Sequence, residues 1–164
     1  MNDICTKIVL ALKDRGLTIA TAESCTGGLV ANRMVTIPGA SDIFSGGIVA
    51  YANSVKNRLL NVSQEILDTC GAVSSECAEA MALGCCQALD CNCSVSTTGI
   101  AGPGGGTPEK PVGLVYVSAC VNGVTATREL RLRGDRRAIR ERSVECALLL
   151  LYNLLESSEV QNRC

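Results

Sequence analysis

The spacing of apolar residues along the chain predicts helices and strands in alternation. Apolar residues that recur every three or four positions are typical of amphipathic helices, and short β-branched or continuously apolar runs are typical of buried strands. We expect helices over residues 3–15, 29–37, 53–60 and 63–70, a long one after Ser74, and a last one from Gly134 to about Leu155. We expect strands over residues 17–22, 44–52, 93–98, 113–121 and 125–132.

The order of these elements favours a three-layer α/β/α domain. Helices between successive strands are typical of parallel pairing, whereas the Asn122-Gly123 turn predicts an antiparallel hairpin of the last two strands, so we expect a mixed sheet. With no internal repeat or linker in the sequence, residues 1–164 are interpreted as a single domain. The second half of the last helix is apolar nearly all round, which predicts that it is fully buried or shared within a homo-oligomer.

Net charge and aromatic content argue against several classes of partner. The formal net charge of −1 gives no electrostatic reason to expect nucleic acid or an anionic membrane as a partner. One phenylalanine, three tyrosines and no tryptophan do not suggest a base-stacking platform. No cleavage signal is visible near the N-terminus, and the longest aliphatic stretch, residues 147–151, is far too short to span a bilayer. We therefore expect a soluble cytoplasmic protein.

The eleven cysteines are expected to be reduced. Their number is odd, and no two of them have the C-x-x-C spacing of thioredoxin-like or zinc-finger sites. Most occupy positions where alanine, valine or serine would be ordinary. We interpret them as small hydrophobic residues, with a metal or redox role as the alternative.

The absence of histidine restricts the chemistry that is open to this chain. Neither Ser-His-Asp nor Cys-His machinery is available within one chain, and the commonest metal ligand is missing. If the protein hydrolyses an acyl bond, its general base must be a lysine, a carboxylate or a tyrosine.

Ser24 is the candidate nucleophile. It follows a predicted buried strand and precedes a Gly-Gly pair and a helix, so we expect its hydroxyl beside free backbone N–H groups that can hold an oxyanion. In the alternative interpretation, Ser24 or Thr26 is only an N-cap. Cys25 is a competing nucleophile, without an evident partner for its thiolate. Glu23 either orients the site or is a solvated charge at the end of the strand.

Lys56 is the candidate general base. It lies in a second strand-to-helix turn, where helical periodicity puts Asn53 and Lys56 on one face. A lysine accepts a proton only when burial or a neighbouring cation lowers its pKa. The alternative is an ordinary exposed lysine on a helix.

A glycine-rich segment over residues 97–106 has the character of an anion-binding loop, with many unhindered N–H groups after a strand. It matches neither the nucleoside-triphosphate loop that ends in Gly-Lys-Ser/Thr nor a dinucleotide fingerprint. Arg136 and Arg137 begin the last helix, and they either bind a phosphate or form a solvated basic face.

Six motifs are spread over nearly the whole chain. They are residues 21–28 (TAESCTGG), 46–53 (GGIVAYAN) with Lys56, 71–74 (GAVS), 98–105 (TGIAGPGG), 110–113 (KPVG) and 134–136 (GDR). In type and order they resemble the motifs of the CinA C-terminal domain family, whose stand-alone members include nicotinamide-nucleotide amidohydrolases. Larger members carry a preceding molybdopterin-binding-like domain, whose activities we do not expect here.

The resemblance implies hydrolysis of the carboxamide of nicotinamide mononucleotide, with release of ammonia and nicotinate mononucleotide, by a serine/lysine dyad without metal or cofactor. By position, it implies that Ser24 is the nucleophile, Lys56 the base and Tyr51 an assisting residue; all three positions are filled. It also implies an oxyanion hole formed by backbone amides near residues 26–28. The substrate-binding positions that it implies are Glu23, Thr26, Gly27, Gly28, Asn53, Thr98, Gly99, Gly102, Gly105 and Arg136.

Two other interpretations remain open at the level of sequence. The same dyad would also suit another small amide or ester, and the same fold would suit a non-catalytic nucleotide-binding or assembly module. Ammonia release from the mononucleotide, compared with free nicotinamide, distinguishes these functions.

Overall fold

The computed structural model describes the backbone of residues 4–162 and the side chains of residues 4–157. The helices are α1 (Ile4–Arg15), α2 (Leu29–Val35), α3 (Asn53–Leu60), α4 (Gln64–Thr69), α5 (Ser75–Ala88) and α6 (Arg136–Asn162), with a short 3-10 helix at Ala40–Asp42. The strands are β1 (Ile19–Glu23), β2 (Phe44–Val49), β3 (Cys93–Gly99), β4 (Leu114–Val121) and β5 (Val124–Arg131).

The strands form one mixed sheet in the order β2-β1-β3-β4-β5. β1 pairs in parallel with both β2 and β3, and the last three strands are antiparallel. In this register Glu23, the last residue of β1, pairs with Val49 of β2 on one side and with Thr97 of β3 on the other. The carboxyl ends of three strands therefore meet at one edge of the sheet, which is where open α/β sheets bind ligands.

Each face of the sheet is covered by helices, with a separate hydrophobic core on each. α1, α2 and α6 pack over the face that carries Ile19 and Val95, whereas α3, α4 and α5 contribute to a core with Ala20 and Ala22. Side chains alternate between the two faces of a strand, and helices cover both faces of this sheet. β1 is therefore buried along its whole length. The predicted three-layer α/β/α fold with a mixed sheet is confirmed.

Some predicted element boundaries are wrong by a few residues. β2 ends at Val49 rather than at residue 52, because its partner strand β1 ends at Glu23 and the last bond between the two runs from Ala50 N to Glu23 O at 2.8 Å. α6 continues to Asn162 rather than to Leu155, since no glycine or proline follows that would end it. Residue 3, the predicted start of the first helix, lies outside the described residues.

The apolar half of α6 is largely covered within the chain. Ala147, Leu148, Leu151 and Leu155 are buried in the core beneath α1 and α2, and Leu149 is 46% exposed. The helix thus buries most of its apolar surface within its own chain, without a second protomer. The homo-oligomer stays a prediction. Among the described residues, no helix combines the length and apolar character that crossing a bilayer requires.

Many cysteines fill core positions, as their sequence context predicts. Cys5 and Cys93 belong to the core beneath α1 and α6, and Cys77 and Cys85 belong to the core beneath α5. Burial raises the pKa of the Cys93 and Cys85 thiols to about 12, so these groups are neutral near pH 7. The interpretation as small hydrophobic residues is confirmed for these four.

Candidate active site

The edge where β1, β2 and β3 end opens into a cavity of about 210 Å³. Ser24 follows β1, Tyr51 follows β2, Thr98 lies near the end of β3, and Lys56 reaches the same place from the first turn of α3. The cavity is lined by Ser24, Cys25, Tyr51, Asn53, Lys56, Ala72, Val73, Thr98, Gly99, Ala101 and Arg136. The sheet order therefore gathers side chains that are far apart in the sequence.

Lys56 contacts Ser24 directly, with 2.9 Å between Nζ and the serine Oγ. Nζ also lies 2.9 Å from Ala50 O and 3.2 Å from Tyr51 O. The lysine residue is only 1% exposed and Ser24 only 8% exposed, so the alternative of an exposed helical lysine is wrong. The contact that a serine/lysine pair requires is present before any substrate is bound.

The surroundings of Lys56 favour its neutral amine. Burial lowers the pKa of Lys56 below its ordinary value of 10.5, an effect opposed only in part by the nearby Cys77 and Cys25 thiols. No carboxylate of the described residues forms an ion pair with it. A neutral amine has two hydrogens and one lone pair; the carbonyls of Ala50 and Tyr51 accept the hydrogens, which leaves the lone pair for the Ser24 hydroxyl.

Glu23 caps α2 from inside the protein. Its carboxylate, 1% exposed, accepts from the N–H groups of Gly28, Val30 and Ala31 at 2.8–3.0 Å and from Thr26 Oγ1 at 2.6 Å. The N-cap interpretation of Ser24 or Thr26 is therefore wrong, and so is that of Glu23 as a solvated charge. A carboxylate at a helix N-terminus also complements the helix dipole, which helps to hold the Ser24 turn in place.

These bonds also change the expected oxyanion hole. Gly28 N–H is bonded to Glu23 and Gly27 N–H donates to Ser24 O at 3.1 Å, so neither amide is available to a substrate. Ser24 N–H donates to Thr97 O at 2.9 Å. In the part of the chain that the structure describes, the N–H groups of Cys25 and Thr26 have no acceptor outside their own residues, and they are the remaining candidates for oxyanion donors.

Arg136 lies at the rim of the cavity. Its guanidinium donates to Gly102 O at 2.7 Å and to Tyr51 Oη at 3.1 Å, which connects α6 with the turn after β2 and the glycine-rich loop. Arg137 points elsewhere and pairs with Glu141 at 2.7 Å on the solvent side of α6. Of the two arginines, only Arg136 is placed to meet a ligand in the cavity.

The structure divides the predicted substrate-binding residues into two groups. Those that line the cavity are Asn53, Thr98, Gly99 and Arg136. Those outside its lining are Glu23, Thr26, Gly27, Gly28, Gly102 and Gly105. Substrate contact by the side chains of Glu23 and Thr26 is not supported by their positions, because they bond to one another, and Gly102 supports Arg136. Of these residues, Thr26 stays a candidate for substrate contact through its backbone N–H.

Sequence reasoning overlooked the segment between α4 and α5 as part of the cavity wall. Ala72 and Val73 line the cavity, and their carbonyls are held by Thr98 Oγ1 at 2.6 Å and by Lys110 Nζ at 2.8 Å. The only local signal was the motif at residues 71–74, which shows no chemistry of its own. Lys110 thereby supports this wall of the cavity by donating to the carbonyls of Cys70 and Val73.

Cys25 lines the cavity beside Ser24 but is a poor nucleophile. Burial raises the pKa of its thiol to about 11, and the nearby Thr97 hydroxyl and Lys56 offset only part of this effect. The thiol therefore stays protonated near neutral pH, whereas the Ser24 hydroxyl contacts an amine.

Known proteins of similar sequence belong to one family. A family model described as the CinA C-terminal domain matches residues 1–155. The CinA-like protein of Dictyoglomus thermophilum is 53% identical over 133 residues, which make up 81% of this chain and 32% of that protein. The chain spans about a third of the length of the curated relatives that it matches.

Solved structures of related proteins have the same fold. The crystal structure of competence/damage inducible protein CihA from Agrobacterium tumefaciens matches with a TM-score of 0.89 and 41% identity over 93% of each chain. That of the competence-damaged protein (CinA) superfamily protein from Enterobacter cloacae matches with a TM-score of 0.90 and 32% identity, over 93% of this chain and 90% of that one. On motifs, fold and sequence identity together, the chain belongs to the family of the CinA C-terminal domain.

Proposed function

We propose that the protein is an amidohydrolase that converts nicotinamide mononucleotide into nicotinate mononucleotide and ammonia, with Ser24 as nucleophile and Lys56 as general base. The observation that carries this proposal is the 2.9 Å contact between Nζ and Oγ, made by a buried lysine without a carboxylate partner among the described residues. A buried amine of lowered pKa next to a hydroxyl is the arrangement that activates a serine in the absence of histidine.

The reaction proceeds in two halves. Lys56 takes the proton from Ser24 as Oγ attacks the carboxamide carbon, and the N–H groups of Cys25 and Thr26 receive the negative charge of the carbonyl oxygen. Lys56 then gives the proton to the leaving nitrogen, the C–N bond breaks, and ammonia departs from an ester on Ser24. A water molecule, deprotonated by the same amine, attacks this ester, and the carboxylic acid product leaves as Ser24 Oγ is reprotonated.

The charge of the cavity supports an anionic substrate. Within the part of the chain that is described, its lining contains the cationic Arg136 at the rim and no carboxylate. A guanidinium binds phosphate through two parallel hydrogen bonds, and Asn53 and Thr98 offer polar groups for a sugar or an amide. In this assignment Tyr51 assists by orienting Arg136 through its hydroxyl.

The proposal is tested by following ammonia release from nicotinamide mononucleotide in the presence of a chelator. We expect ammonia and nicotinate mononucleotide in equal amounts, undiminished by the chelator. Free nicotinamide and the riboside that lacks the phosphate serve as matched substrates, and both should turn over far more slowly. Absence of ammonia at every pH tested contradicts the proposal, and equal rates for all three compounds contradict the substrate assignment.

The pH dependence of turnover follows from the state of Lys56. Below its pKa the ammonium has no lone pair and cannot take the serine proton, so we expect kcat to rise with pH. It should level off above a pKa that lies below 10.5, because burial lowers that of Lys56. We would measure kcat at saturating substrate from about pH 5 to about pH 10. Because kcat reports the enzyme–substrate complex, the titration of the phosphate in the free substrate then has little effect on the profile. A flat or falling profile contradicts Lys56 as the base.

A further inference from the structure

We infer that Arg140 is a positioning residue that holds the peptide group between Cys25 and Thr26, whose N–H is a candidate oxyanion donor, in its working orientation. This inference rests on the proposed amide hydrolysis. The guanidinium of Arg140, on α6, donates from Nε to Cys25 O at 3.1 Å and from Nη2 to Thr26 O at 2.7 Å. One side chain thus donates hydrogen bonds to two consecutive carbonyls of the turn that follows the nucleophile.

Arg140 donates to neutral carbonyls rather than to a carboxylate. Two exposed arginines differ in this respect, since Arg137 pairs with Glu141 and Arg131 with Glu129. Arg140 is half-buried, and within residues 4–157 no carboxylate forms an ion pair with it. A partly desolvated cation that donates to neutral carbonyls polarises those peptide groups.

The planarity of the peptide bond links these carbonyls to the oxyanion donors. In a trans peptide the N–H points opposite to the C=O, so a donor that fixes Cys25 O also fixes the direction of Thr26 N–H. Within the turn of residues 24–28, Thr26 N–H is one of the two amides without an acceptor. No other donor in the described structure reaches Cys25 O, so the orientation of this peptide depends on Arg140.

The contact with Cys25 O also strengthens the donor that it orients, Thr26 N–H. A hydrogen bond from a cation to a carbonyl polarises the peptide, which makes its N–H a better donor to the developing negative charge. Because the amides of Ser24, Gly27 and Gly28 already have acceptors, this turn offers the substrate oxygen only the N–H groups of Cys25 and Thr26. Loss of Arg140 therefore acts on the transition state more than on substrate binding.

The test compares Arg140→Met and Arg140→Lys with Arg142→Met, a matched change at an exposed position of the same helix. We expect Arg140→Met to lower kcat by about 10- to 100-fold, with KM changed by less than about threefold, since misplacing one oxyanion donor costs up to this much. Arg140→Lys keeps the charge but not the planar group that bonds both carbonyls at once. We expect its kcat to lie between those of wild type and Arg140→Met. Added guanidinium ion should restore part of the turnover of Arg140→Met and leave Arg142→Met unchanged.

The outcomes separate the inference from the function on which it rests. A wild-type protein that releases no ammonia overturns the proposed function. If wild type is active and Arg140→Met keeps its full kcat, the positioning role alone is overturned. The same holds if Arg140→Met differs from wild type only in KM. Thermal unfolding of each variant identifies a folding defect. If Arg140→Met does not fold, Arg140→Lys tests the positioning role instead. An undiminished kcat in that variant contradicts the need for one side chain that bonds both carbonyls.

Discussion

Ser24→Ala is expected to lower the kcat of ammonia release by at least about 10⁴-fold, the loss typical of removing a serine nucleophile. The substitution deletes one oxygen and leaves the backbone bond from residue 24 N–H to Thr97 O unchanged. Without Oγ no acyl-enzyme can form, and Lys56 keeps its two carbonyl partners. The fold and the thermal unfolding temperature should therefore change little.

The measurement has two parts, which together distinguish chemistry from damage. Ammonia release is compared with that of Ser75→Ala, an exposed serine at the start of α5 whose hydroxyl contacts only its neighbour Glu76. Mass spectrometry of wild type quenched during turnover should show the nicotinoyl nucleotide ester, which Ser24→Ala should lack. Wild-type rates in Ser24→Ala would show that Cys25 or an activated water attacks the amide instead.

Lys56→Met is expected to lower kcat by at least about 10³-fold, because a general base contributes 10²- to 10⁴-fold and this base serves both halves of the reaction. Methionine has nearly the length of lysine and suits a position that is 1% exposed. Lys7→Met, at an exposed position of α1, is the matched control and should retain full activity. Turnover in Lys56→Met close to that of Lys7→Met would contradict the assignment.

The same variant makes a second, independent measurement possible. The pKa of Lys56 is lowered in the folded protein and returns to 10.5 on unfolding, so between these two values the unfolded chain binds one more proton. The free energy of unfolding of wild type should therefore rise with pH in that interval relative to Lys56→Met, by up to about 1.4 kcal/mol per pH unit. Parallel pH dependences of the two proteins would mean that Lys56 is not desolvated.

The sequence alone was sufficient for much of the fold. The alternation of helices and strands, the hairpin at Asn122-Gly123 and the long helix after Ser74 are all present as predicted, and Ser74 caps that helix by accepting from Cys77 N–H. These features depend on interactions between residues close in the chain, which periodicity and turn chemistry report directly. The boundary at β2 was not predictable in this way, because β2 ends where its neighbouring strand β1 ends, at Glu23.

The sequence also determined which chemistry was open, because the absence of histidine leaves Ser24 as the candidate nucleophile and Lys56 as the candidate base. Only the tertiary structure decided that the two side chains meet, that Lys56 is buried, and that Glu23 takes the amide of Gly28. Only the tertiary structure likewise brought Arg140 to the nucleophile turn from more than a hundred residues away. The physical reason is that burial, pKa and hydrogen-bond partnership depend on which strands are neighbours and which face a helix covers. No local pattern of residue types encodes those relations.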